Sequence, residues 1–247
     1  MCRMVAAVGS FAMADVVEGV RAMATNANPA HQHELSPRAG AFLHDSGWGA
    51  VYLRDGHLER VRSTTPCFED RLFDELAGVE TDLAVVHARR AKHPRSIAPA
   101  NTHPFLVTHR DAVWAFCHNG EVRDTSQLSW DPSLAPEGST DSERLFLHVL
   151  STVAMDGPSA PDALAATLGR LRDFTCVNCL VVRSRSVVYA TRREPGSTTP
   201  RYYTMWRTDG QGPAGPFAVV SSEVLPSPVG AWTPVEDGSA SFLACSA

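Results

Sequence analysis

A chain of 247 residues with 44% hydrophobic and 20% charged side chains has a globular composition, long enough for one large domain or two small ones. No apolar run approaches the roughly 20 residues of a membrane helix, and a net charge of -5 with a pI near 6.0 gives no basic field to hold phosphates, so neither membrane nor nucleic acid is expected as a partner. Six cysteines scattered through a chain too large to need staples are expected as buried free thiols in a reducing cytoplasm.

Residues 2–8 are apolar and followed by Gly9-Ser10, which predicts a buried strand opened by Cys2. Met13, Val16, Val17, Val20 and Met23 then fall at i, i+3, i+4, i+7 and i+10, the spacing of an amphipathic helix. Arg3 and the stretch ending at Ala12-Met13-Ala14 imitate a secretory leader, but the helical period runs through the apparent cleavage point. Residues 26–46, rich in His, Pro and Asn, lack a period and predict a long loop. Residues 48–54 and 57–62 flank Asp55-Gly56, a strong hairpin signal, and a short helix is expected over 68–77, closed by Gly78. Residues 83–89 form a buried strand pattern, and 105–108 with 113–117 a second hairpin around Arg110-Asp111.

Thr140, three residues before Glu143, makes a capping box for a helix reaching about Met155, and Pro161 opens another that reaches Arg172. The remainder, 176–182, 187–192, 202–207, 217–221 and 231–243, is strand-like between Pro and Gly loops. Strands, then two helices, then strands again is not the alternation of a doubly wound parallel fold. It predicts an α+β domain over 1–247, with two stacked sheets and helices outside them.

The chemistry starts at Cys2. Removal of Met1, which occurs when the next side chain is small, leaves thiol and α-amino group on one residue. That amine, with an ordinary pKa of about 7.7 to 8.0, is a base for the thiol. His118-Asn119-Gly120 ends the strand 113–117. There a tight turn would aim an Asn side-chain N–H and a Gly backbone N–H the same way, the composition of an oxyanion hole, and equally that of an ordinary Asn-Gly turn. Arg89 at a strand end and Asp141 at a helix start suit the carboxylate and ammonium of an amino acid; alternatively Arg89 is only solvated and Asp141 serves the helix dipole. Cys176 and Cys179 form a CxxC inside a buried strand pattern, with no second pair to complete a zinc set. His31, His33 and His44 are an alternative metal-ligating group that lacks a matching carboxylate or Cys set.

Together MCR at 1–3, SGWGAVY at 46–52, HARRA at 87–91, NTHPF at 101–105, HNG at 118–120, TDSE at 140–143, SSEVL at 221–225 and WTPVEDGS at 232–239 resemble, in this order, the class II glutamine amidotransferases. The resemblance implies the four-layer αββα sandwich of N-terminal-nucleophile hydrolases. It implies Cys2 as nucleophile and Asn119 with Gly120 as oxyanion hole. Arg89 would bind the substrate α-carboxylate and Asp141 the α-amino group, with His103 of NTHPF also among the substrate-binding residues. The implied reaction passes through a γ-glutamyl thioester on Cys2 that water hydrolyses, and needs no cofactor or metal.

Two departures bear on the substrate. ARRAK stands where glutamine-using synthases carry a TRWAT-like stretch, so Arg90 and Lys92 replace an aromatic and a hydroxyl, and SGWG replaces DGWG. Without a recognisable ammonia-consuming domain, the chain is similar to short stand-alone members, including the γ-glutamyl hydrolases of ergothioneine synthesis and glutathione degradation. The expected activity is hydrolysis of a small-molecule γ-glutamyl amide. The alternatives are a glutaminase subunit feeding ammonia to a separate synthetase partner, and a non-catalytic binding protein that keeps the fold. Leaving group and oligomeric state stay open.

Overall fold

The computed structural model describes residues 2–38, 42–155, 157–227 and 230–245. The chain runs β1 (Arg3–Gly9), α1 (Met13–Ala24), β2 (Trp48–Arg54), β3 (His57–Ser63), α2 (Arg71–Glu75), β4 (Leu83–Ala88), β5 (Phe105–His109) and β6 (Ala112–Val122). It continues with α3 (Asp141–Thr152), α4 (Ala160–Gly169), β7 (Phe174–Arg183), β8 (Ser186–Ala190), β9 (Trp206–Gly212), β10 (Gly215–Ser221), β11 (Thr233–Pro234) and β12 (Ala240–Leu243). The strands form two antiparallel sheets, one ordered β11-β9-β10-β1-β4-β2-β3 and the other β12-β8-β7-β6-β5.

Successive side chains of a strand point to opposite faces, so each buried strand serves two cores. In β1, Met4, Ala6 and Val8 face the other sheet and pack with Val85 of β4, Cys117 of β6 and Leu180 of β7. Val5 and Ala7 face outward, under the α1 stripe of Met13, Val16, Val17, Val20 and Met23. On the second sheet Phe116 of β6 and Val181 of β7 lie beneath Leu145 and Phe146 of α3 and Leu164 of α4. Each fully buried side chain of this kind contributes roughly 1.5–3 kcal/mol, and only a helix outside each sheet buries both faces. The result is the expected αββα sandwich. Among the described residues no helix is long and apolar enough to cross a membrane.

Local chemistry explains the turns. Asp55 (φ 50°) and Gly56 (φ 80°) take the left-handed conformation of a two-residue hairpin whose twist matches its strands, and Arg110 (φ 51°) and Asp111 (φ 58°) do the same between β5 and β6. Four expectations need correction. The helix expected over 68–77 is α2 followed by a 3-10 turn, Leu76–Gly78, because Asp70 caps its start by accepting from the Leu72 N–H. The capping box is half formed: Thr140 Oγ1 accepts from the Glu143 N–H, but the Glu143 carboxylate accepts from the backbone of Glu137 and Gly138 instead of reaching back. Residues 202–205 are not strand, and β9 begins at Trp206. The HNG segment does not turn. It continues β6, with Asn119 opposite Asn178 and Gly120 opposite Val177, and the ladder becomes irregular only between Gly120 and Val122.

Candidate active site

The register that builds the sandwich also gathers the polar residues at one end of the inter-sheet space. Arg3 pairs with Ala88 and Met4 with His87, so Cys2 and His87 share the face of Met4 at the end where Arg89 leaves β4. The matching end of β6 carries Asn119 and Gly120, and α3 starts beside it at Asp141. Between them opens a cleft of about 490 Å³, whose walls include Cys2, Arg89, His103, Gly120, Asp141 and Tyr203. Every site residue expected from the sequence is in or beside this cleft.

The Cys2 backbone N–H donates to Asn119 Oδ1 at 2.8 Å. This contact sets the orientation of the carboxamide, whose Nδ2 is buried without a partner. Gly120 has φ 145°, and a Cβ there would lie 1.7 Å from the Cys176 carbonyl oxygen, so only glycine lets β6 and β7 approach so closely. His118 fastens the segment from the other side, with Nδ1 2.9 Å from Ser142 Oγ and Nε2 3.2 Å from the Cys176 carbonyl.

Arg89 is buried. Its Nη2 donates to Ser96 Oγ at 3.2 Å, while Nη1 has no partner. Burial pushes its pKa down, opposed by the charges of Cys2 and Asp141. A guanidinium held out of water without a carboxylate is costly, and a substrate carboxylate would complete it. Asp141 Oδ2 accepts from the Val122 N–H at 2.8 Å, which fixes the carboxylate at the first turn of α3.

Burial raises the pKa of the Cys2 thiol, but the positive chain terminus, the His87 ring and the Arg90 backbone N–H together outweigh it and bring the thiol down to about 6. Burial instead pushes Cys67 up to about 12 and also raises Cys117, Cys176 and Cys179. Cys2 is thus the activated thiol of this group. His103 lines the cleft as expected, its ring tilted by 32° against that of His87 with centroids 4.2 Å apart, and burial holds it neutral, well below the usual imidazole range.

The altered ARRAK stretch lies on the rim. Arg90 covers the Phe42 ring at 4.1 Å, and Lys92 pairs with Glu121 at 2.6 Å. His33 and His44 have other commitments than a metal: His33 Nε2 lies 2.9 Å from Arg3 Nη2 and 3.3 Å from Glu223 Oε1, and His44 Nε2 lies 3.0 Å from Tyr202 Oη. Among the described residues no group of His, Cys, Asp and Glu is arranged to hold a metal ion. Sequence reasoning missed His87, Glu121, Thr175 and Tyr203 around the cleft. His87 opened the HARRA stretch, but nothing within that stretch gave it a role.

Residues 23–178 match the sequence profile of the family described as "Glutamine amidotransferases class-II". Over 173 residues the chain is 26% identical to "Putative glutamine amidotransferase YafJ" of Escherichia coli strain K12, covering 63% of this chain and 67% of that protein. Over 112 residues it is 30% identical to an uncharacterised protein of Methanocaldococcus jannaschii, covering 44% of this chain and only 31% of that relative's length. Among solved structures, a "predicted glutamine amidotransferase" from Pseudomonas aeruginosa superposes with TM-score 0.61 at 16% identity, covering 98% of this chain and 92% of that one. The glutamine phosphoribosylpyrophosphate amidotransferase of Bacillus subtilis does so with TM-score 0.59 at 17% identity, covering 98% of this chain and 48% of that one. At these identities the likeness is one of fold.

Proposed function

We propose that this chain, which belongs to the class II glutamine amidotransferase family, hydrolyses a γ-glutamyl amide through a thioester on Cys2. Arg89 receives the α-carboxylate of the glutamyl group and Asp141 its ammonium, which brings the γ-carbonyl to Cys2. The thiolate attacks that carbon, and the developing O⁻ is met by Asn119 Nδ2 and the Gly120 N–H. The tetrahedral species collapses by breaking the C–N bond, and the departing nitrogen takes up the proton that left sulfur. Water then attacks the thioester, returning a proton to sulfur and releasing glutamate. The reading requires loss of Met1, so that the Cys2 nitrogen held by Asn119 becomes a free amine.

The observation that carries this reading is the Cys2 N–H to Asn119 Oδ1 contact, because the same side chain then has a buried donor left over beside the nucleophile. The cleft extends past Cys2 to Arg90, Lys92 and Glu121, which favours an amide bearing a substituent over glutamine itself. Glutamate release from a panel of γ-glutamyl amides tests the proposal. Substituted amides should turn over faster than glutamine, and Cys2→Ala should abolish release; a Cys2→Ala protein that keeps turning over would refute it.

A further inference from the structure

Beneath the nucleophile lie two imidazoles that the mechanism above leaves idle. His87 is fully buried on β4, opposite Met4 of β1 on one side and Gly49 of β2 on the other. Diagonal neighbours across an antiparallel pair are within reach of long side chains, and Cys2, two residues before Met4, is the diagonal neighbour of His87. Gly49 makes room above the strand, since a Cβ there would lie 2.2 Å from the His103 carbonyl oxygen. The segment carrying His103 therefore settles onto the sheet, and the His103 ring lies against that of His87 at a tilt of 32°. None of the four ring nitrogens has a conventional hydrogen-bond partner. In a sealed interior such groups are normally satisfied, and the thiol of Cys2 is the reactive group at hand.

We propose that His87 is the proton acceptor of the Cys2 thiol, holding the thiolate as an ion pair while neutral His103 fixes the plane of its ring. The inference rests on the reading of Cys2 as nucleophile. The S–H bond breaks, its proton passes to a ring nitrogen of His87, and the sulfur electron pair forms the S–C bond. As the C–N bond breaks, the departing nitrogen takes that proton by way of the Cys2 amine. In the second half-reaction a proton of the attacking water follows the reverse route, ending on sulfur. The amine thus relays a proton while His87 holds the charge that balances sulfur. The His87 contribution to the low pKa of the thiol agrees with this division. The charged and titratable groups around the pair are the chain terminus, Arg89, His103, His118, Cys117, Tyr202 and Tyr203, with Asp141 acting on Arg89 and His118.

The test is the rate of Cys2 alkylation by iodoacetamide from about pH 5 to about pH 9, read by intact mass with peptide mapping, in the full chain and in His87→Gln and His87→Asn. In the unaltered protein the rate should rise with a midpoint below the ordinary thiol value of 9.0. In the variants the midpoint should move up by about one unit or more, with the high-pH plateau retained. A midpoint that does not move reduces His87 to a structural role and overturns the inference, leaving the nucleophile reading intact. Failure to alkylate Cys2 in the unaltered protein overturns both. Should neither variant fold, ring ¹⁵N shifts decide on the unaltered chain: His87 should show an imidazolium at neutral pH that becomes neutral in Cys2→Ala, and identical shifts in the two proteins contradict the proposal.

Discussion

Asn119 accepts from the Cys2 backbone N–H with its side-chain oxygen while its side-chain nitrogen is buried without a partner, so on the proposed reading one side chain would both locate the nucleophile and supply a donor for the charge it creates. Both are buried, which keeps water from competing for either half of the amide.

Replacing Asn119 by Ala should therefore act mainly on the chemical step. Loss of one oxyanion donor costs roughly 10²–10³ in kcat, and because Arg89 and Asp141 would still hold the glutamyl end on the proposed reading, KM should change little. Steady-state kinetics on the preferred γ-glutamyl amide check this.

Arg89→Lys should give the opposite signature. Lys keeps the charge but cannot offer two parallel donors to a carboxylate, and losing a charge-assisted hydrogen bond of about 2 kcal/mol corresponds to a rise in KM of roughly 30-fold. Binding of glutamate or a glutamate analogue by calorimetry should weaken in step.

Gly120→Ala tests the close approach of β6 and β7. The Cβ would meet the Cys176 carbonyl oxygen at 1.7 Å in a backbone conformation that side chains rarely adopt, so a loss of roughly 3 kcal/mol or more is expected. Thermal denaturation should show a lowered Tm, with activity falling in parallel.

The activated thiol makes stability depend on pH. An unfolded chain keeps the Cys2 proton up to the ordinary value of 9.0, the folded chain only up to about 6. Between these values Cys2 by itself binds more protons unfolded than folded, so its own contribution grows as pH rises, is full above the unfolded value and is lost as pH falls through the folded one, and the slope shrinks to the extent that His87 keeps the proton that sulfur gives up. Denaturant titrations across that window under reducing conditions should show Cys2→Ala flattening the slope.

Much of this was legible before the structure, for physical reasons that differ by residue. The α1 stripe and the Asp55-Gly56 hairpin are local signals, and local signals survive into the fold. Cys2, Arg89, Asn119, Gly120 and Asp141 lie far apart in sequence, and the ordered motifs, not any period, linked them. The HNG segment misled because Asn-Gly is turn chemistry, whereas pairing with β7 carries β6 through it. Tyr202 looked like strand because aromatics favour strands; its ring instead packs 3.9 Å from the buried Arg3 guanidinium, itself 2.7 Å from Glu223. His87 was hidden because its meaning lies in the register of β1 against β4, which no single segment contains.

The most direct test of the central claim is the intact mass of the purified protein before and after treatment with a glutamine-analogue electrophile such as diazo-oxo-norleucine, with the label mapped by peptide sequencing. The account predicts a chain lacking Met1 and carrying one label, on Cys2. A chain that has lost Met1 and takes no label on Cys2 would contradict it.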